Sequence, residues 1–441
     1  MTQPYEWSVA EAAERIRDKR ISSRGYVQAL LARIRDYEPS LHAWAHLAGD
    51  WAEAQASQCD EDTVRGVSRG PLHGVAVAIK DNYDVIDLPT RGGSDLSDDK
   101  PAAADAVAVA RLRRAGAVVL GKTAMTPFAA MDPAPTRNPW NGDHTPGGSS
   151  SGSAAAVGAQ MCAAALGSQT AGSVLRPAAY CGVVGLKPTY DAVSRQGLMA
   201  CAWSMDHVGV IARDVDDAAL LFGVLTGAGP ADSKDSDGQI TVGIPDRGFD
   251  ISDASDAEAF VGAVDVLAKA GAKIVSVEVP DGLQSLASAG ILVMYAELAA
   301  FHRDLYSRRA SEYPPRLRVL VEAGLSIAAP DYVNALRVRH HAAGELSSAL
   351  AGLTVLLTPT TTSPAPSRQG STGDWRFNLP FSASGHPAIT LSCGFAKNGL
   401  PLGIQAVASH GREDFLFKVG RLFQQHSDWH KRRAPMKAGP I

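Results

Sequence analysis

Three stretches of the sequence carry side chains that could act together in catalysis. The run "GSQTAGSVLRPAAYCG" (167–182) places Ser173 among small residues, and "TPGGSSSGSAAAVGAQ" (145–160) is a second run of glycine and serine. In "PLHGVAVAIKDNYDV" (71–85), an apolar segment ends in Lys80. A serine hydroxyl becomes a strong nucleophile beside a base, and no histidine lies near Ser173 in the sequence. Taken singly, each stretch is typical of ordinary structure, because a Gly–Ser run is usually a loop and a lysine after a strand is usually solvated.

The elements around these stretches follow an α/β pattern. A helical segment, a glycine and a short apolar strand succeed one another in "DAVAVARLRRAGAVVL" (105–120) and again in "DAEAFVGAVDVLAKAGAKIVSVEV" (256–279). Strands covered on both faces are predicted from mostly apolar runs at 75–79, 355–357, 388–391 and 402–407. We therefore predict a single large α/β domain over 1–441, with a central mixed, mostly parallel sheet covered by helices on both faces.

Other segments give local predictions. Ser8 and Glu11 form a capping box, and two helices follow it to about Ala45. No charge occurs from 145 to 175, and this run is too weakly hydrophobic to span a bilayer, so we expect buried, close-packed backbone. The segment 227–347 is richer in charge and aromatic residues. It is predicted to be an insertion or lid beside a site, with helical packing on the sheet as the alternative.

Together the three stretches resemble the amidase signature family. Further motifs stand in the family's order: "PTRGGSDL" (89–96), "RLRRAGAVVLGKT" (111–123), "NPWN" (138–141), "CGVVGLKPTY" (181–190), "SMDHVGVIARDVDDAALL" (204–221), "LLTPTTTSPAP" (356–366) and "GLPLGIQAV" (399–407). The resemblance implies the amidase signature fold, with a signature core over 70–225. It also implies that the variable helical segment 227–347 shapes the substrate pocket.

The resemblance further implies a serine–serine–lysine triad. Ser173 is the expected nucleophile, Ser149 the bridging serine preceded by a cis peptide bond, and Lys80 the base. A lysine is a base only when it is neutral, and burial disfavours its charged form. Lowering a lysine pKa from about 10.4 to about 7 corresponds to roughly 5 kcal/mol, which a desolvated site can supply.

Small residues before the nucleophile have a role in the same scheme. Backbone N–H groups of Thr170, Ala171, Gly172 and Ser173 are expected to form an oxyanion hole for the substrate carbonyl. Bulky side chains there would keep the substrate away from these donors.

The segment around Ser173 departs from the common family pattern, which has an aspartate four residues before the nucleophile and an arginine two after it. Here those positions are Gln169 and Leu175, and the arginine is Arg176 instead. This Q-T-x-G-S-x-x-R-P form resembles a malonamidase-like branch, in which the arginine can meet a substrate carboxylate through its bidentate fork. The alternative is that Arg176 pairs internally with an acidic side chain or backbone carbonyls. Substrate contacts are expected at Arg176, Gln169 and Gly148.

The function implied is hydrolysis of the C–N bond of a small carboxylic amide through an acyl-enzyme, releasing a carboxylate and ammonia or an amine. Carbamate (urethane), anilide or ester hydrolysis by the same triad is one alternative. A glutaminase component of an amidotransferase complex is another, although Gln169 replaces the family's aspartate and no basic surface is evident. A non-catalytic binding protein is disfavoured, because Lys80, Ser149 and Ser173 are all retained.

Two short motifs point elsewhere and are interpreted as accidental. "GAVVLGKT" (116–123) fits the P-loop pattern, but the apolar residues 117–120 are themselves the predicted strand. "GSSSG" (148–152) fits a nucleophile elbow centred on Ser150, but turn-like residues precede it instead of a strand.

Composition narrows the class of partner. With 45% apolar residues, 20% charged residues and a net charge of −4 without a basic block, the sequence favours a small-molecule amide or carbamate substrate over nucleic acid or a membrane.

The cysteines are odd in number and lack a C-x-x-C pair, and the N-terminus has no apolar leader, so reduced thiols in the cytoplasm are expected: Cys59, Cys162, Cys181, Cys201 and Cys393. No metal and no cofactor are implied. The adjacent His340 and His341 are expected on a charged helix. The oligomeric state stays open, with a homodimer among the alternatives.

Overall fold

Apolar segments of the chain form one large sheet. The computed structural model describes residues 2–228, 238–251 and 253–436. Within these ranges eleven strands pair side by side in the order β1-β3-β2-β4-β6-β5-β10-β11-β9-β7-β8. Their bounds are β1 Trp44–Leu47, β2 Ala76–Lys80, β3 Val118–Thr123, β4 Ala164–Gln169, β5 Val184–Lys187, β6 His207–Ala212, β7 Thr241–Pro245, β8 Lys273–Val277, β9 Val355–Pro359, β10 Ala388–Phe395 and β11 Pro401–Val407.

Helices cover this sheet, so that its central strands are buried along their whole length. Their bounds are α1 Val9–Arg17, α2 Ser23–Leu41, α3 Gly49–Val64, α4 Val107–Arg114, α5 Ser151–Gly158, α6 Leu175–Cys181, α7 Val215–Thr226, α8 Ala254–Lys269, α9 Gly282–Arg309, α10 Pro315–Leu325, α11 Ala329–Ala349, α12 Leu379–Ala383 and α13 Glu413–Gln425. The protein is a single α/β domain, as predicted.

Strand direction is where the prediction of the sheet was partly wrong. The sheet is mixed, but among the described strands six neighbouring pairs are antiparallel and four are parallel. The parallel pairs lie in two blocks, β3-β2-β4 and β9-β7-β8. An apolar strand covered on both faces reads the same in either direction, so its composition does not reveal whether its neighbours run parallel.

Local predictions agree with the structure. The Ser8 hydroxyl accepts a hydrogen bond from the Glu11 N–H, and the Glu11 side chain accepts one from the Ser8 N–H, which completes the capping box before α1. The two helix–glycine–strand units become α4 with β3 and α8 with β8. The P-loop pattern at 116–123 lies largely in buried strand β3 and not in a loop, as predicted.

The segment 227–347 is less purely helical than predicted. Its residues 229–237 and 252 lie outside the described residues. The rest contains α8, α9, α10 and most of α11, but also β7 and β8, which extend the sheet at one edge. The stretch Gly282–Glu312 is long and apolar enough to cross a membrane by length and composition. Half of its most apolar window is buried within the fold, and α9 packs against α10, α11 and α12.

Parallel pairing of β2 with β4 determines where the functional stretches meet. Lys80 is the last residue of β2 and Gln169 the last residue of β4. Since the carboxyl ends of parallel strands share one edge of the sheet, the loop that follows β4 begins beside Lys80. The run 145–160 leads into α5, which packs against β4. From 145 to 175 every residue except Gly158 is buried, as predicted from the absence of charge.

Candidate active site

Lys80 lies at the centre of a fully buried polar cluster. Its side chain is 0% exposed, and its Nζ is 2.7 Å from Ser149 Oγ. Two further contacts come from Ser168, whose Oγ is 2.8 Å and whose carbonyl oxygen is 3.3 Å from the same nitrogen. The Asn82 amide donates to Ser168 Oγ at 2.9 Å and holds that hydroxyl in place. The lysine nitrogen therefore has three polar partners, all from neighbouring loops and strand ends.

Burial changes the acid–base chemistry of this lysine. Desolvation lowers the pKa of Lys80 from its ordinary value to about 7, while the nearby Asp206 carboxylate acts in the opposite direction. Neutral lysine offers two N–H donors and one lone pair. The Ser168 carbonyl can only accept, so a neutral Lys80 can donate to Ser168 and accept a proton from Ser149. The arrangement suits a base near neutral pH.

Ser149 sits between Lys80 and the loop that carries Ser173. The peptide bond from Gly148 to Ser149 is cis, as the resemblance implies, and the Ser149 side chain is almost fully buried. The N–H of the next residue, Ser150, donates to the Ser173 carbonyl oxygen at 3.3 Å, which joins the two functional loops.

Ser173 follows β4 and precedes α6. Its side chain is 8% exposed and lines a cavity together with Thr170, Ala171 and Gly172. Within the described ranges, the Ser173 hydroxyl makes no hydrogen bond to another side chain. Catalysis by these residues requires a hydrogen bond from the Ser173 hydroxyl to Ser149 Oγ. Catalytic hydrogen bonds of this kind often tighten only when substrate is bound.

The N–H groups of Thr170, Ala171, Gly172 and Ser173 are free to meet a ligand. None of these four donors has a backbone or side-chain acceptor among the described hydrogen bonds, although the flanking N–H groups do. The Thr170 hydroxyl donates to buried Asp206 at 2.6 Å, which fixes the start of the loop. Consecutive unpaired donors beside a cavity are the arrangement that an oxyanion hole needs.

Gln169 was predicted to contact the substrate, but its side chain lies inside the protein. It is 0% exposed and does not line the cavity. Its Oε1 accepts from the N–H groups of Val174 and Leu175 at 2.8 and 3.0 Å, and its Nε2 donates to Ser382 at 3.0 Å. Both amide atoms are used inside the protein, so its assignment to substrate binding is corrected: Gln169 caps α6 and supports the Ser173 loop.

Arg176 lines the cavity and is also paired internally. Its guanidinium donates to the carbonyl oxygen of Gly373 at 2.7 Å, to that of Gly148, and to Thr372 Oγ1 at 3.3 Å. No carboxylate lies within ion-pair distance of it among the described residues, and its Nε is buried without a partner. Burial lowers the pKa of Arg176 to about 10, so the group remains charged at neutral pH.

These contacts correct the expectation for Gly148. The residue is buried outside the cavity lining, and its carbonyl oxygen is bound by Arg176. Its carbonyl oxygen is therefore used in an internal hydrogen bond, and the residue lies outside the cavity expected to take the substrate. Of the two alternatives for Arg176, the internal pairing is with backbone carbonyls and not with an acidic side chain.

The cavity beside Ser173 is small and mostly apolar. Its volume is about 40 Å³, room for about three water molecules. Its apolar wall comes largely from α9, α10 and the loop after β3, and includes Ala129, Ala130, Met131, Cys201, Met294, Tyr295, Leu298 and Leu320. Arg176, Thr372 and Trp375 lie on the wall as well.

Several site residues were missed by the sequence analysis. Ser168 and Asn82 bind around Lys80, and both stand inside the quoted runs, one residue before Gln169 and two after Lys80. Ser382 and Thr372 lie about 200 residues further along the chain, and nothing in their surroundings marked them. The described residues contain no group of three or more His, Cys, Asp and Glu side chains that could hold a metal. His341 lies on α11, as predicted, and contacts Glu345.

Comparison with known proteins gives this site a context. A family model described as "Amidase" matches residues 26–417. The chain is 35% identical to a glutamyl-tRNA(Gln) amidotransferase component from Carboxydothermus hydrogenoformans, over 97% of this chain and 99% of that protein. It is 34% identical to the putative amidase AmiD of Mycobacterium bovis, over 97% of this chain and 96% of that protein.

Solved structures resemble the whole fold. The native peptide amidase from Stenotrophomonas maltophilia superposes with a TM-score of 0.86 at 29% identity, covering 99% of both chains. The 6-aminohexanoate cyclic dimer hydrolase in complex with substrate superposes with a TM-score of 0.88 at 26% identity, covering 98% of this chain and 99% of that one. The fold and these relatives thus define an enzyme that hydrolyses amides and has a single α/β domain. The chain belongs to the amidase family.

Proposed function

We propose that this enzyme hydrolyses the C–N bond of a small carboxylic amide through an acyl-enzyme on Ser173. The observation that carries the proposal is the buried Lys80 Nζ, 2.7 Å from Ser149 Oγ, next to the loop that presents Ser173 to the cavity. A base with a pKa of about 7 and no histidine partner suits a serine–serine–lysine relay.

Acylation begins with two linked proton transfers. Neutral Lys80 accepts the Ser149 proton while Ser149 accepts the Ser173 proton, and the Ser173 oxygen attacks the amide carbon. The oxygen of the tetrahedral intermediate takes the N–H donors of residues 170–173. When the C–N bond breaks, Ser149 donates a proton to the leaving nitrogen and regains one from Lys80.

Deacylation uses the same groups in reverse order. Water attacks the ester on Ser173 and loses a proton to Ser149 and Lys80, and Ser173 leaves with a proton returned through Ser149. The net reaction consumes one amide and one water and forms a carboxylic acid and ammonia or an amine. Lys80 ends neutral, ready for another cycle.

The cavity supports a small substrate with an acidic acyl group. A volume of about 40 Å³ leaves room for only a short acyl chain. Arg176 lines this cavity as a buried cation without a carboxylate partner among the described residues, so an anionic substrate group would complete its pairing. Malonamate is a short amide of this kind. Carbamates and esters present the same carbonyl and are expected as slower alternatives.

Product release from a panel of compounds tests the proposal. Ammonia or amine formation is measured with malonamate, its neutral analogue malonamide, butyramide, an anilide and an alkyl carbamate. Ser173→Ala should lose at least about a thousandfold in kcat/KM on every substrate. The matched control is Ser392→Ala, which removes a buried hydroxyl on β10 outside the cavity lining and should keep activity.

The role of Arg176 is tested within the same panel. Arg176→Gln should lower kcat/KM for malonamate by at least about tenfold more than for malonamide, because only malonamate carries the charge. Equal losses on both would make Arg176 structural, in keeping with its bonds to Gly148 and Gly373. Activity that survives Ser173→Ala would overturn the proposed mechanism.

A second candidate is the glutaminase component of an amidotransferase complex. Its support is the 35% identity with the amidotransferase component from Carboxydothermus hydrogenoformans over nearly the full length of both chains. This candidate predicts glutamine hydrolysis that rises when the other components of such a complex and a charged tRNA are added. Turnover of malonamate or butyramide by the isolated chain, without response to such partners, would favour the independent amidase.

A further inference from the structure

Ser382 makes hydrogen bonds both to Gln169, which supports the Ser173 loop, and to the backbone of that loop. It lies on α12, is 1% exposed and is absent from the cavity lining. Its Oγ donates to the Ala171 carbonyl oxygen at 2.6 Å and accepts from Gln169 Nε2 at 3.0 Å. Within the described ranges, no other donor reaches the Ala171 carbonyl oxygen.

The direction of this bond determines where the next N–H points. In a trans peptide the C=O of one residue and the N–H of the next point in opposite directions. The Ala171 carbonyl is bound by Ser382, which does not line the cavity, whereas Gly172 does. The opposed directions of C=O and N–H then turn the Gly172 N–H toward the cavity. Because a hydroxyl has a single proton and a carbonyl can only accept, that proton goes to Ala171. Gln169 occupies a lone pair of the hydroxyl and so fixes its rotation.

We infer that Ser382 is a positioning residue of the proposed hydrolysis: it orients the Ala171–Gly172 peptide so that the Gly172 N–H can bind the developing oxyanion. The inference rests on the proposed function, since it assigns the oxyanion to the loop before Ser173. Ser382 lies outside the cavity lining and makes no hydrogen bond to the triad. Its effect on the oxyanion donor passes through the Ala171 carbonyl.

Other hydrogen bonds hold the two ends of the loop, so the Ala171–Gly172 peptide between them is the part that depends on Ser382. Thr170 is held by Asp206 at one end, and the Val174 and Leu175 N–H groups are held by Gln169 at the other. Between them, the Ala171–Gly172 peptide is held by one hydrogen bond among the described residues, the one from Ser382. Without the hydroxyl, the Ala171 carbonyl would be buried and unpaired, and rotation of the peptide would relieve it at the expense of the oxyanion donor.

The test compares Ser382→Ala with the isosteric pair Ser382→Thr and Ser382→Val, which differ only by a hydroxyl and a methyl group. On the best substrate of the panel, Ser382→Ala and Ser382→Val should lose about 10- to 100-fold in kcat with KM changed less than about twofold. Ser382→Thr should lie close to the wild type. The control Ser392→Ala should keep both constants.

A transition-state mimic provides a readout that a general packing defect would not move. Methylboronic acid, whose methyl group is short enough for the cavity, forms a tetrahedral adduct with a serine hydroxyl and places an oxygen where the oxyanion would be. Its affinity should fall in Ser382→Ala and Ser382→Val by about the same factor as kcat, while KM stays nearly constant.

The outcomes separate this inference from the proposed function. If Ser382→Val keeps the kcat and boronate affinity of Ser382→Thr, the inference is wrong, whatever happens to the alanine variant. A loss confined to KM would also overturn it. If the wild type hydrolyses no amide, the proposed function fails; boronate binding, measured by calorimetry, then still reports whether the Ser382 hydroxyl affects an oxyanion site.

Discussion

The neutral form of Lys80 is the reagent on which the proposed mechanism depends, and replacing it with arginine removes that form. At its ordinary pKa of 10.5, a lysine would be about 0.03% neutral at pH 7, whereas a pKa of about 7 makes it half neutral. Burial thus raises the available base about 1,500-fold. Arg keeps the cation and the donors but does not lose its proton in this pH range.

Rate measurements over pH give the expected size of the effect. In the wild type, kcat/KM should fall about tenfold for each unit below pH 7 and level off above it, because protonated Lys80 cannot accept the Ser149 proton. Lys80→Arg should lose at least about a thousandfold at every pH. Lys187→Met is the control: Lys187 is equally buried, with its pKa also lowered to about 7. Removing it should leave the pH profile unchanged.

Two results would refute this reasoning. One is an acid limb that disappears in Lys187→Met, because the titration would then belong to Lys187. The other is Lys80→Arg activity above about a tenth of the wild-type value near pH 8. In that case proton transfer would not pass through this side chain.

Further predictions concern the supporting structure. In Gly172→Ala the new Cβ would stand 2.6 Å from Asn378 Oδ1, so the loop must shift and kcat should fall about 10- to 100-fold with little change in KM. Gln169→Leu leaves the N–H groups of Val174 and Leu175 buried and unpaired. The free energy of unfolding, measured by denaturant titration, should therefore fall by about 2–4 kcal/mol. Lys187→Met should stabilise the fold, most at pH 7 and below. Since the lysine pKa is 10.5 when unfolded and about 7 when folded, the unfolded wild type binds more protons and its stability recovers as pH rises; the variant's advantage should shrink by about 1.5 kcal/mol from pH 7 to 8.5.

Each of these has a contrary result. Wild-type kcat in Gly172→Ala would mean that the Gly172 N–H is not used in the reaction. Unchanged unfolding in Gln169→Leu would mean that water satisfies the helix donors. A pH-independent difference between Lys187→Met and the wild type would mean that Lys187 stays protonated in the folded state.

Local signals explain what could be predicted from the sequence. The capping box at Ser8 and the helix–glycine–strand units depend on residues close together in the chain, and they fold as expected. Lys80, Ser149 and Ser173 stand in distinctive short motifs, so their proximity could be predicted from a resemblance. Strand direction could not, because doubly buried apolar strands have no polar face to orient them.

The features that could not be predicted depend on contacts between residues far apart in the sequence. Gln169 was expected to meet the substrate, but its amide is used by Ser382 and by the start of α6. The bond from Arg176 to Gly373 joins residues 197 positions apart, and neither end has a signal that identifies the other. A neutral amide in place of the usual aspartate changes the local chemistry of the loop, and only the folded arrangement reveals which donors it meets.

The most direct test of the central claim is mass spectrometry of the enzyme quenched with acid during turnover of its best amide substrate. The account predicts a mass increase equal to the acyl group on the peptide that contains Ser173, absent from Ser173→Ala and present in Ser392→Ala. An adduct on Ser149 or Ser150 instead, or an adduct of the same mass that persists in Ser173→Ala, would contradict it.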